Sequence, residues 1–149
     1  CIDGIVAGYN VVDVKIDFYD GKQHPVDSKD IAFQTAGKHA FLEAFMSAKP
    51  GLLEPITNIE VTVPEDYMGD VMGDISGKRG KIIGMDSEGH IQKIKAQVPQ
   101  AELHNYATTI RSITGGRGFH SESHSHYENL PRDLEKKVIA EYNRKREEQ

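Results

Sequence analysis

Apolar and polar residues alternate from Asn10 to Tyr19, placing Val12, Val14, Ile16 and Phe18 on one side of an extended chain. Period-two alternation predicts a half-buried strand, and Asp20-Gly21 predicts the turn after it. The period then lengthens. Phe33, Ala36, Ala40, Phe41, Ala44, Phe45 and Ala48 recur at helical spacing, which predicts a long helix that buries one broad stripe. Asp27 or Ser28 suits its N-cap, Asp30 its first turn, and Pro50-Gly51 its end. With a helix end and a loop ahead of the strand, residues 1–53 carry too little sheet for a complete domain.

From Glu54 the elements are shorter. Ile59, Val61 and Val63 are in phase on a strand from Ile56 to Val63, and Pro64-Glu65-Asp66 opens a helix with Met68, Val71, Met72 and Ile75 as its apolar face. Gly77 suits the end of that helix. Lys81 to Met85 predicts a short strand, Asp86-Ser87-Glu88-Gly89 a hairpin loop, and His90 to Val98 the returning strand, closed by Pro99. Leu103, Tyr106, Ala107, Ile110 and Ile113 mark a second helix ended by Gly115-Gly116. Phe119 to Tyr127 is a fourth strand. The order is βαββαβ, that of a ferredoxin-like domain in the α+β class. Pro131 to Glu147 predicts a C-terminal helix with Leu134, Val138 and Tyr142 on one face, and the charged end from Arg144 to Gln149 is expected to fray.

Composition adds limits. Hydrophobic residues make up 38% of the 149, enough for a buried core. Cys1 is the only cysteine, so no intramolecular disulfide is available, and a reduced, cytoplasmic setting is the default. No apolar run approaches the roughly 20 residues of a membrane helix, and the N-terminus is no signal peptide. It also lacks an initiator Met, so the chain is expected to begin inside a longer polypeptide. A net charge of -5 argues against general affinity for nucleic acid. The cations are nevertheless clustered beside glycines, in Lys78-Arg79-Gly80-Lys81 and from Arg111 to Arg117, where backbone can approach a phosphate.

Several of these segments carry a resemblance. Lys49-Pro50-Gly51-Leu52-Leu53-Glu54-Pro55-Ile56 is similar to the junction between the fourth and fifth domains of elongation factor G. Gly69-Asp70-Val71-Met72-Gly73-Asp74-Ile75 with Arg79-Gly80, and Tyr106 to Thr114 with Gly116-Arg117-Gly118, resemble its fifth domain, as do His126-Tyr127-Glu128 and Pro131 at the end. Ala7-Gly8-Tyr9 and His24-Pro25-Val26-Asp27-Ser28 resemble the second half of its fourth. The resemblance covers essentially the whole chain. It implies residues 1–53 as part of a ribosomal-protein-S5-like α+β domain, 54–130 as the ferredoxin-like fifth domain, and 131–149 as a C-terminal helix and tail.

The resemblance also implies a function. The family is a GTPase that drives tRNA and mRNA through the ribosome. The expected partners are rRNA, the tRNA and mRNA of the A site, and ribosomal proteins near the factor-binding site, met by a monomer with no membrane. No GxxxxGK[ST] loop occurs, so GTP and Mg are expected only in preceding domains, and the chain itself is expected to hold no cofactor and no catalytic residue. Recycling of ribosomes and protection from an antibiotic are alternatives within the superfamily.

Candidate site residues follow from both readings. Lys22, Gln23, His24, Pro25, Asp27 and Ser28 form a loop between strand and helix, where side chains project outward. The resemblance places this loop at the tip that reaches the decoding centre, where His24 can meet phosphate, a 2′-OH or a base. A plain polar loop capping a helix is the competing reading. Arg79, Lys81, Arg111 and Arg117 are candidates for rRNA phosphate contact, against a merely solvated surface. Alternation puts His120, Glu122, His124 and His126 on one face of the fourth strand, and the family tends to place large apolar residues where the first three stand, just before its His-Tyr pair. That set is metal-like in composition and makes a metal-binding ferredoxin-like domain a third, distant reading. Residues two apart on a strand are separated by roughly 7 Å, too far for one ordinary tetrahedral site.

Overall fold

The computed structural model describes residues 4–25 and 29–148. Its elements, in chain order, are α1 (Asp30–Ser47), β1 (Leu53–Pro64), α2 (Met68–Gly77), β2 (Lys81–Glu88) and β3 (Ile91–Pro99). α3 (Tyr106–Ile113), β4 (Phe119–Asn129) and α4 (Arg132–Glu147) follow, with short 3-10 turns at Glu65–Tyr67 and Gln100–Leu103. They form two units, Leu53–Asn129 and the combination of Cys1–Leu52 with Leu130–Gln149. The C-terminal helix is grouped with the N-terminal residues.

In the Leu53–Asn129 unit all strand pairs are antiparallel, in the order β2-β3-β1-β4. With the two helices on one face this is the α+β, ferredoxin-like arrangement that βαββαβ predicts. The in-phase residues of the central strands do face the helices. Ile59, Val61 and Val63 of β1 and Ile94, Ala96 and Val98 of β3 form one core with Val71, Ile75, Leu103, Tyr106 and Ile110. Each large aliphatic side chain removed from water there contributes about 1.5–3 kcal/mol before the entropy of ordering it is counted.

Three local details differ from expectation. β2 and β3 extend into the predicted hairpin loop, leaving only Gly89 and His90 as the turn. Ion pairs across the hairpin, Lys93 to Glu88 at 2.9 Å and Lys95 to Asp86 at 2.7 Å, hold these polar residues in register. The second helix is broken: Pro99 leads into a 3-10 turn, Asn105 takes a left-handed backbone (φ 59°), and only then does α3 begin. Asn tolerates that conformation better than most residues. α2 ends at Gly77 as expected, but its cap is not made by that glycine. Gly77 is its last helical residue, and the left-handed position falls on Arg79 (φ 57°). Arg79 N donates to Ser76 O at 3.2 Å and Gly80 N to Ile75 O at 2.9 Å, closing a Schellman cap. Gly80 is required by space, since a Cβ there would lie 2.6 Å from Ile75 O and 2.9 Å from Val98 Cγ2.

In the other unit, α1 forms where its spacing predicts but buries no residue completely. Phe41 and Phe45 stack with ring centroids 5.6 Å apart and are half-buried, while Ile31 and Phe33 are exposed. The expected strand from Asn10 to Tyr19 is not formed. The segment is irregular, with Asp13 left-handed (φ 54°), no strand among the described residues pairs with it, and Val12, Val14, Ile16 and Phe18 are exposed. Alternation supplies a strand's side chains. Its hydrogen bonds must come from a neighbour. α4 is tied to the residues before β1: Leu52 N donates to Glu135 Oε1 at 3.0 Å, and Leu130 N to Leu52 O at 2.8 Å.

Candidate nucleic-acid interface

Asp20 Oδ1 accepts from Gly21 N at 2.8 Å at the head of the candidate loop, where the expected turn is not formed. Lys22, Gln23, His24 and Pro25 follow in irregular, exposed backbone. Asp27 and Ser28, site candidates and expected N-caps, lie outside the described residues. The N-cap of α1 itself is Lys29, in extended conformation and with no side-chain capping bond.

The four basic candidates have different surroundings. Arg79 is held by carboxylates. Its Nη1 and Nη2 donate to the two oxygens of Glu54 at 2.7 and 2.9 Å, and its Nε donates to Glu102 Oε1 at 3.1 Å. The bonds to Glu54 chiefly hold the guanidinium's pKa above its ordinary value, against the opposing cost of burial. Two acids thus neutralise this cation, and the fork that would grip a phosphate is already engaged. The clamp compensates for the left-handed backbone of Arg79 and gives Glu54, the one buried charged residue among the described residues, its partner. Arg79 is therefore a structural link between β1, the end of α2 and the turn before α3.

Lys81 is exposed on the edge strand β2, and Arg111 is exposed in the last turn of α3. Arg117 follows the turn made by Gly115 (φ 58°) and Gly116 (φ 83°). Its guanidinium lies 4.9 Å from the Tyr67 ring centroid, and its Nη2 donates to the Tyr67 hydroxyl.

On β4 the register changes the expected face. Ile56 pairs with His126 but Thr57 pairs with His124, so Ser125 is the extra residue of a β-bulge. His120, Glu122 and His124 lie opposite Val61, Ile59 and Thr57, on the helix side of the sheet. His126 is moved to the other side. His120 is the member that is covered: its ring meets Tyr106 edge-on at 4.9 Å, and its Nε2 lies 2.6 Å from Glu122 Oε1. The polar face is thus accommodated by a hydrogen bond at one end and by exposure of Glu122 and His124 at the other. His126 Nε2 pairs separately with Glu128 Oε1 at 2.7 Å. The four residues do not converge, and among the described residues no three His, Cys, Asp or Glu side chains are grouped to hold a metal.

Glu54, Glu102 and Tyr67 were not visible as partners in the sequence, because each contacts a residue 23 to 50 positions away. Comparison with known proteins fixes the wider context. Elongation factor G domain IV matches residues 1–49, and the elongation factor G C-terminus matches residues 51–138. The chain belongs to the elongation factor G family. An elongation factor G from Aquifex pyrophilus is 52% identical over 139 residues, covering 93% of this chain and 20% of the relative. A crystal structure from Thermus thermophilus has a TM-score of 0.84 and 38% identity, over 96% of this chain and 22% of its own length. The chain therefore spans about a fifth of the relatives it matches. It is homologous to the domain IV and C-terminal part of a translation elongation factor, and no helix among its described residues is long and apolar enough to cross a membrane.

Proposed function

We propose that this chain is the ribosome-facing part of a cytoplasmic translational GTPase and acts in translocation of tRNA and mRNA. The observation that carries the reading is the pair of consecutive elongation factor G matches, domain IV followed by the C-terminus, across one chain. The exposed segment from Lys22 to Pro25 is compatible with it, since a loop presented ahead of a long helix can enter a nucleic-acid site. In this reading the loop around His24, with Asp27 and Ser28, occupies the A site and opposes return of the tRNA. Lys81, Arg111 and Arg117 face rRNA phosphates, whereas Arg79 supports them from within the fold. Binding of GTP and Mg, and hydrolysis, are assigned to other domains of the longer protein.

The test uses the full-length factor that carries this chain, with pre-translocation ribosomes and GTP. Movement of the mRNA should be stimulated, and His24→Ala should slow it by about tenfold, the scale of one lost charge-assisted contact. A factor that instead splits ribosomes only together with a recycling factor, and leaves mRNA movement unchanged, would refute the translocation role.

A further inference from the structure

Among the basic candidates, Arg117 is the one whose guanidinium is held in place without being neutralised. Arg79 is spent on Glu54 and Glu102, while among the described residues Arg117 forms no ion pair. Its backbone is fixed as well. The buried Thr114 donates through Oγ1 to Ile110 O at 2.7 Å and accepts from Gly118 N at 2.7 Å, and Arg117 N donates to Thr114 O at 3.3 Å. A Cβ at Gly118 would lie 2.9 Å from Ile110 Cγ2 and from Thr114 Oγ1, so the chain after Arg117 lies directly against α3. The guanidinium itself is held by Tyr67, which packs on the hydrophobic core.

A long cationic side chain normally gives up rotamer freedom when it binds. A stacked guanidinium has surrendered much of that freedom beforehand, keeps its charge, and retains donors for a phosphate. We propose that Tyr67 is a positioning residue that presents Arg117 to a backbone phosphate of ribosomal RNA. This rests on the ribosome-binding reading above and adds to it the residue that sets one contact.

The experiment measures binding of the 149-residue chain to purified ribosomes over a series of KCl concentrations, with thermal unfolding recorded for every variant. Arg117→Ala should weaken binding about three- to tenfold and reduce the slope of log affinity against log salt by about one. Tyr67→Leu keeps an apolar side chain on the core but removes the stack, and should weaken binding about threefold. Tyr67→Phe keeps the stack and should bind within about twofold of the parent. The deciding measurement is Tyr67→Leu combined with Arg117→Ala, which should bind no worse than Arg117→Ala alone. If Tyr67→Leu costs as much in the Arg117→Ala background as in the parent, Tyr67 acts through the fold and the proposal is overturned. It is also overturned, with ribosome binding left standing, if the parent binds and either Arg117→Ala or Tyr67→Leu changes nothing. Failure of the parent chain itself to bind would overturn both readings.

Discussion

Helices α1 and α3 each carry apolar residues at helical spacing, yet they differ in what that spacing achieves. The 18-residue α1 has no fully buried side chain, whereas the eight-residue α3 buries Tyr106 and Ile110 completely. α3 lies against a sheet whose central strands turn Ile59, Val61, Ile94 and Ala96 toward it, and the described residues of α1's own unit offer it no such surface. An amphipathic pattern states which face a helix can bury. Burial itself depends on a second element arriving with a complementary face.

The sharpest way to break this contrast is to truncate one side chain on each helix and follow chemical denaturation. Ile110→Ala should destabilise the chain by about 2–5 kcal/mol, the range for a core aliphatic that leaves a cavity. Phe33→Ala, which removes more atoms, should cost about 0.5 kcal/mol or less, as exposed substitutions do. Equal losses at the two positions would mean that α1 is buried after all. Next in size, Arg79→Ala should cost about 2–3 kcal/mol by stranding the buried Glu54 carboxylate; the partial exposure of the clamp keeps the figure below that of a fully buried pair.

A smaller effect concerns alkaline pH. Burial, and then the nearby Asp74 charge, raise the pKa of Tyr106 well above its ordinary value. The folded state therefore favours the neutral phenol. Its contribution is full below about pH 10, the ordinary phenol value, and is lost as pH rises beyond it. Denaturation midpoints should fall less steeply between about pH 9 and 11 in Tyr106→Phe than in the parent, with little difference near pH 7. Identical slopes would show that the Tyr106 hydroxyl reaches solvent.

Much of the Leu53–Asn129 unit was legible because its signals are local. Val71 and Ile75 share a helical face, Ile94, Ala96 and Val98 alternate, and both sets reach the core as their spacing predicts. Breaks in the pattern were less readable. The left-handed residues at Arg79 and Asn105 are not glycines, so nothing in composition marked them. Arg79 looked like a free cation because Glu54 and Glu102 are distant in sequence, and the hairpin loop looked too polar to be strand because its ion pairs cross between strands. In the N-terminal part the limit was different. The alternation at Val12 to Phe18 is genuine, but a strand is a property of two segments, and only one was in view.

Ser125 gives β4 a change of parity. Counting by twos along the strand assigns His120 and His126 to one side; the additional residue makes that count wrong from His126 onward. The strand therefore has two histidine–carboxylate pairs on opposite sides of a sheet one chain thick: His120 with Glu122, under Tyr106, and His126 with Glu128, open to solvent. Repetition that reads in the sequence as one motif is, in space, two unconnected surfaces.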